Sequence, residues 1–392
     1  MFNCWHLIIT ILSRCSNFYL YGSRNGILCT GDNRCEVFDS ASVGTLEFPV
    51  CIILNIADPT QCTELPPVRP SIKYIDLTSV TCSCTWLRSL LSMMLTRNCP
   101  MYCNLRDCHL TACGEGEVNA SYTTGHISLY VRHHKRISII LGDDTGLWEI
   151  LHGLSIKSLS LDGWGESGCR VNHEKSFSQT IASLSKLEEL DITMDELTPC
   201  VWDALRGLNI KSLTLSSREL GGYHAESLTQ LLSSLKRLET LDITMDEFTP
   251  CVLEALHGLN IKSLALRSKE WGDCQAESLS QSLSSLKRLE TLEICVTEDS
   301  PGLWKALHGL NIKSLRLDGW KGDGLKINHS EPLSQPLSSL AQMEKLTIHV
   351  QKDSPWEALY GLNIEYLNLK IYDNTGEMHE ESLSQSIKYF CG

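Results

Sequence analysis

The sequence predicts an α/β solenoid: a parallel β-sheet on a concave side, with helices on the convex side. Three observations predict it. A segment, Leu256-His257-Gly258-Leu259-Asn260-Ile261-Lys262-Ser263-Leu264, recurs, with near copies starting at Leu151, Leu205, Leu307 and Leu359. Within each copy the apolar period changes from that of a strand to that of a helix. A glycine marks each return from helix to strand.

The copies start 54, 51, 51 and 52 residues apart, so a unit of about 51 residues runs five times, the last incomplete. Each unit holds two strand-like pieces. The first reads Ile-Lys-Ser-Leu-x-Leu, as at Ile156–Leu161, Ile210–Leu215, Ile261–Leu266 and Ile312–Leu317. The second reads Leu-Glu-x-Leu-x-Ile, as at Leu187–Ile192, Leu238–Ile243 and Leu289–Ile294, with Met343–Ile348 and Ile364–Leu369 as worn copies. The central leucines Leu213, Leu241, Leu264, Leu292 and Leu315 are spaced 28, 23, 28 and 23. Those intervals lie in the range of single leucine-rich repeats, about 20–29 residues. The unit is therefore a pair of leucine-rich repeats, one long and one short.

Alternation puts the last two leucines of each strand on one face. Between strands, Leu279, Leu283, Leu286 and Leu289 step by 4, 3 and 3, one face of a helix. In the short half Trp148, Trp202, Trp304 and Trp356 occupy one helical position, and their apolar area calls for burial. Gly153, Gly207, Gly258, Gly309 and Gly361 follow the short helices, where a left-handed residue ends a helix. No unit can cover its leucines alone, so neighbours must stack. A charge ladder fits this register. Lys157, Glu188, Lys211, Glu239, Lys262, Glu290, Lys313 and Glu344 alternate in sign from strand to strand. Strict alternation would turn them toward the leucines, so they are expected where each strand begins.

The outward strand positions form the candidate partner surface. They include Ser160, Asp162, Thr214, Arg267, Arg316 and Asp318 from the long halves, and Glu189, Asp191, Thr240, Asp242, Thr291 and Glu293 from the short halves. They are mostly small and polar, and acidic on balance, which suits a protein partner bearing a basic patch. Trp164, Trp271 and Trp320 follow the long-half strands and fit either an exposed rim or a cover over the turn.

The first 136 residues are less regular. Residues 1–72 read as an irregular region and worn cap, with strands at Phe18–Tyr21 and Val50–Ile56. Residues 73–150 read as degenerate repeats, with a strand at Ile72–Leu77, a helix at Trp86–Leu95 and strands at His126–Val131 and Ile137–Leu141. Regular repeats fill 151–392.

The net charge of -13 disfavours a nucleic-acid partner. The basic run Arg132-His133-His134-Lys135-Arg136 stands alone and reads as a solvated edge. No apolar stretch approaches the ~20 residues that cross a bilayer. Of 18 cysteines, 12 lie in residues 1–113 without paired metal-ligand spacing, so they read as reduced packing residues. The chain has no phosphate-loop motif, no His-Glu-x-x-His and no nucleophile elbow. An enzyme is not expected, nor is a cofactor or a metal.

The run Ala-Leu-His-Gly-Leu-Asn-Ile-Lys-Ser-Leu, with Glu-Ser-Leu-Ser-Gln-Ser-Leu-Ser-Ser-Leu-Lys-Arg-Leu-Glu-Thr-Leu, resembles the leucine-rich-repeat region of NACHT-type NOD-like receptors, particularly the expanded invertebrate, coral-like set. Residues 137–387 carry the resemblance strongly and 73–136 weakly. It implies a cytoplasmic ligand-sensing or autoregulatory module of innate immunity, shaped like the ribonuclease-inhibitor horseshoe. Two departures stand beside it. The nucleotide-binding NACHT part is missing, and Trp164, Arg218, Lys269 and Trp320 replace the asparagine that commonly follows the strand. Three alternatives stay open: a ribonuclease-inhibitor-like binder of a basic enzyme, a truncated non-functional receptor fragment, and a secreted ectodomain with disulfides.

Overall fold

In a computed structural model the chain divides into two compact units, Met1–Met194 and Asp195–Gly392. The structure describes residues 18–21, 25–30, 34–39, 50–54, 72–78, 81–96, 101–106, 109–111, 121–123, 126–132, 136–140, 147–162, 174–194, 199–217, 225–271, 273–320, 324–328, 330–352, 354 and 364–372. Trp164, Arg218, Trp356 and Gly361, singled out above, lie outside them.

The first unit comprises β1 (Phe18–Tyr21), β2 (Asn25–Thr30), β3 (Arg34–Asp39), β4 (Val50–Leu54), β5 (Ile72–Thr78), β6 (Thr81–Ser83), α1 (Cys84–Thr96), β7 (Met101–Arg106), β8 (His109–Thr111), β9 (Ser121–Thr123), β10 (His126–Arg132), β11 (Arg136–Ile140), α2 (Leu147–Leu151), β12 (Ser158–Asp162), α3 (Glu174–Ser183) and β13 (Glu189–Thr193). Its main sheet runs β3-β2-β1-β4-β5-β7-β10-β11-β12-β13. From β4 to β7 the strands are parallel, and α1 joins β5 to β7 as a repeat would. Its apolar face, Leu87, Leu90, Leu91 and Met94, is buried. The strict solenoid pattern is broken at β10, which runs antiparallel to both β7 and β11. Arg132, at the end of β10, pairs with Arg136, at the start of β11. From β11 to β13 the strands are parallel again.

The second unit alternates helix and strand up to β19: α4 (Pro199–Leu205), β14 (Ser212–Ser216), α5 (Ala225–Ser234), β15 (Thr240–Glu247), α6 (Pro250–Glu254), β16 (Ser263–Glu270), α7 (Asp273–Ser285), β17 (Thr291–Cys295), α8 (Pro301–Leu307), β18 (Ser314–Asp318), α9 (Ser330–Ser339) and β19 (Lys345–Gln351), followed by β20 (Tyr366–Tyr372). Strands β14 to β20 pair in chain order and all in parallel. This is the architecture of a leucine-rich-repeat-like fold. The register follows the repeat: Leu213, Leu241, Leu264, Leu292, Leu315, Leu346 and Leu367 form one row. The first five are fully buried. Leu279, Leu283, Leu286 and Leu289 close over the sheet from the helical side, as their spacing requires. Trp202 and Trp304, and in the first unit Trp148, are core residues.

Two devices fix where helices begin and end. Thr249 and Ser300 cap α6 and α8 by accepting from the Val252 and Leu303 backbone N–H groups, with proline next in line. At the other end Gly153, Gly207, Gly258 and Gly309 all adopt φ near +71°, the left-handed position the repeat assigns them. Each of these glycine N–H groups also donates to a serine hydroxyl of the next long helix, a contact that the sequence spacing does not announce. The acceptors are Ser183, Ser234, Ser285 and Ser339, at 2.8–3.0 Å. Those hydroxyls in turn donate to carbonyls three residues earlier. Each long helix is thereby stapled to the short helix before it.

The ladder of lysines and glutamates lies just before each strand, as expected. Successive rungs are joined through the backbone. Glu239 N–H donates to the Lys211 carbonyl, Lys262 to Glu239, Glu290 to Lys262, Lys313 to Glu290 and Glu344 to Lys313, at 2.8–2.9 Å. Their side chains pair as Lys262–Glu239 at 2.8 Å and Lys313–Glu290 at 3.4 Å, with Lys157–Glu188 at 3.8 Å in the first unit. All are exposed, so solvent screens them and the pairs contribute little to stability.

Past the strand ends, backbone hydrogen bonds join neighbouring repeats of the second unit. Ser217 N–H donates to the Thr244 carbonyl, Val296 to Asp318 and Thr297 to Lys269. The wholly buried Ser268 donates its hydroxyl to the Asp246 carbonyl at 3.0 Å.

Candidate partner-binding face

Alternation along each strand sends every second side chain away from the helices. The burial patterns of β12, β13, β14 and β15 show it directly, with leucine and isoleucine inside and polar residues half-buried outside. In the first unit this places Ser160, Asp162, Glu189 and Asp191 on the outward face. Ser160 stands opposite Asp191 and donates to its carboxylate at 3.1 Å.

In the second unit Thr214, Thr240, Asp242, Arg267, Thr291, Glu293, Arg316 and Asp318 all reach the outward face. Two rows are well defined. One runs Thr214, Asp242, Ala265, Glu293, Arg316, Thr347, Asn368; the next runs Ser216, Thr244, Arg267, Cys295, Asp318. Across them the charged groups form one chain. Arg267 donates one nitrogen to Asp242 and another to Glu293 at 3.0 Å. Arg316 lies 3.6 Å from Glu293 and donates to Asp318 at 2.7 Å. His349 Nδ1 meets the same Asp318 oxygen at 2.8 Å. Acid and base thus alternate from Asp242 to His349 over five strands.

The environment shifts these groups in different directions. Burial pushes the Asp242 carboxyl up, against the hydrogen bond from Arg267. For Asp318 burial pulls the same way, but the hydrogen bonds from His349 and Arg316 outweigh it and hold the carboxyl below the usual aspartate value. Burial opposes the charge on Arg267, yet its bond to Asp242 and the Asp242 and Glu293 charges keep the guanidinium firmly protonated. Cys295, buried and facing Glu293 and Asp318, has its thiol pushed up to about 12. Burial thus disfavours its thiolate, the nucleophilic form.

The sequence placed these residues on one face but not in one network. It also missed His349, whose imidazole is buried against Tyr372, ring centroids 5.9 Å apart. Position in the β19 alternation was the only available signal. The acidic balance expected of this face is modified: Asp242, Glu293 and Asp318 all bond to arginines. Of the rim tryptophans, Trp271 folds inward and packs on Phe248 at 5.1 Å, and Trp320 is half-buried.

Cys251 and Cys295 are free thiols. Among the described residues no cluster of His, Cys, Asp and Glu could hold a metal ion, and no helix is long and apolar enough to cross a membrane. Comparison with known protein families and with curated proteins finds no match.

Proposed function

We propose that this chain is a protein-binding module, and that the outward sheet face of its second unit receives the partner. The observation that carries the reading is the Asp242–Arg267–Glu293–Arg316–Asp318–His349 network. It holds polar groups of five strands in fixed positions, with Asp242, Arg267, Glu293 and Arg316 partly exposed above the buried Asp318 and His349. A surface ordered before binding loses little side-chain freedom on binding. Its thiol is buried and its acids are each held by an arginine, so we read no catalytic role into it. Because the acids here are bonded to arginines, partner choice on this face rests on polar fit more than on acidity.

We infer further that the repeats stack into a horseshoe. On the strength of the sequence resemblance, we assign the chain to the ligand-sensing or autoregulatory region of a NOD-like-receptor-type protein of the cytoplasm. Affinity capture from the source cells tests the reading. Thr214→Arg with Thr291→Arg puts bulk on the face without breaking an ion pair and should abolish capture of a partner that wild type retains. Gln281→Arg, exposed on helix α7, should leave it unchanged. The opposite pattern would overturn the proposal.

A further inference from the structure

Charge is unevenly divided along the sheet face of the second unit. On β15 to β17 the outward acids Asp242, Asp246 and Glu293 stand against Arg267 and Lys269, leaving one net negative charge. On β18 to β20 the outward positions carry Arg316, Lys345 and Lys370 against Asp318 alone, leaving two positive. Arg316 is the partner of Asp318, so among the described residues the cations of this face without an acidic partner are Lys345 and Lys370. They come with aromatics. Lys345 Nζ lies 5.2 Å from the Tyr366 ring centroid, and Tyr366, at 53% exposure, is the large apolar side chain that stands out among the described residues. Tyr372 flanks Lys370 two positions along β20, with Asn368 between the two ends of the patch.

We propose that this patch binds an acidic peptide segment of the partner, with its carboxylates on Lys345 and Lys370 and its backbone lying over Tyr366, Asn368 and Tyr372. The inference rests on the reading of the sheet face as the partner surface. Charge complementarity selects the occupant: two cations, two tyrosines able to donate, and an amide match carboxylates spaced along an extended chain. Lys345 pairs in register with Tyr366 and His349 with Lys370, so the two lysines are four residues apart along the strand direction. That is about 13 Å at ~3.3 Å per residue, the separation of side chains i and i+4 on one side of an extended peptide. Exposed Glu344 and Glu365, one residue before β19 and β20, bound the patch at its start. The acidic segment therefore ends near Lys345 and runs onward past Tyr372. The occupant differs from the basic partner that composition suggested, because composition averages over charges that the fold separates.

The test is fluorescence anisotropy of a labelled peptide, Gly-Glu-Ser-Tyr-Ser-Glu-Gly, with the whole chain. It is run at 0.15 M salt, where a Debye length of about 8 Å screens the chain's remote negative charge. A saturable signal is expected, weakened at least tenfold in Lys345→Glu/Lys370→Glu and by a smaller factor in Lys345→Gln/Lys370→Gln. The glutamine pair removes charge without adding repulsion, which keeps the test valid if the glutamate pair unfolds. Unchanged affinity in the glutamine pair overturns the proposal. So does tighter binding of the same peptide with lysines in place of the glutamates. A stronger response to single-stranded oligothymidine or to anionic lipid vesicles would assign the patch to phosphate and overturn it as well. If the peptide fails while Thr214→Arg/Thr291→Arg still abolishes partner capture, the acidic segment is refuted and the partner face stands. If the peptide binds but those arginines leave capture intact, the partner-face reading falls instead.

Discussion

Arg267 is the keystone of the sheet face, and replacing it should destabilise the second unit by about 2–3 kcal/mol. Its guanidinium sits 3.0 Å from Glu293 and closer still to Asp242. One unit-charge pair at that distance is worth roughly 5 kcal/mol at an effective dielectric of about 20. Taking three charged groups partly out of water returns much of that gain. Removing a fully buried partner typically costs ~3–5 kcal/mol. Arg267 is 31% exposed, so the lower figure applies. Arg267→Ala leaves Asp242 and Glu293 facing each other, 18% and 25% exposed. The Asp242 carboxyl, already raised by burial, then rises further. A carboxyl whose folded pKa exceeds its unfolded one destabilises at pH values above the folded pKa and not below the unfolded one. The loss should therefore be larger at pH 7 than at pH 4. Urea unfolding followed by the fluorescence of the buried tryptophans measures it. Asp242→Asn/Arg267→Met/Glu293→Gln should recover part of the stability, because no charge is then left unpaired. A loss below ~0.5 kcal/mol for Arg267→Ala, as expected for an exposed pair such as Lys157–Glu188, would refute the reasoning.

Asp318 predicts a pH effect of the other sign. Its lowered carboxyl stabilises the fold above the ordinary aspartate range, and that contribution is lost as pH falls through the lowered value; Asp318→Asn should thus melt earlier than wild type at pH 7, with the gap closing as the pH falls below the ordinary aspartate range. In alkylation by iodoacetamide at pH 8, exposed Cys251 should react well before buried Cys295, as peptide mass mapping would record. Gly258→Ala meets open space and bears only the left-handed backbone penalty, about 1–2 kcal/mol. Gly324→Ala combines the same penalty with a contact of 2.8 Å to the Val350 backbone, so its melting temperature should fall further than that of Gly258→Ala.

Most of the second unit was legible in the sequence, because the repeat carries both periods and the register. A leucine at a fixed place in every copy can only form a row, and Leu213 to Leu315 do. The glycines, the core tryptophans and the charged residues before each strand were legible for the same reason. The antiparallel pairing of β10 with β11 was not. A two-residue period has no direction, and Arg132 to Arg136 contains no glycine or asparagine to announce a turn. The charge network was legible only as a face. Arg267 stands beside Cys295 and Thr244 in its row, yet it bonds to acids of the neighbouring row, which depends on side-chain torsions that spacing does not encode. The glycine–serine staples were hidden in a run of serines that reads as an ordinary polar helix surface.

The most direct test of the partner face is photo-crosslinking in lysate of the source cells, with benzoylphenylalanine introduced at Thr291 on the sheet or at Gln281 on helix α7. A partner-binding sheet face predicts a discrete protein adduct from position 291 that is absent from position 281. An adduct from 281 alone, or the same adduct from both, would contradict it.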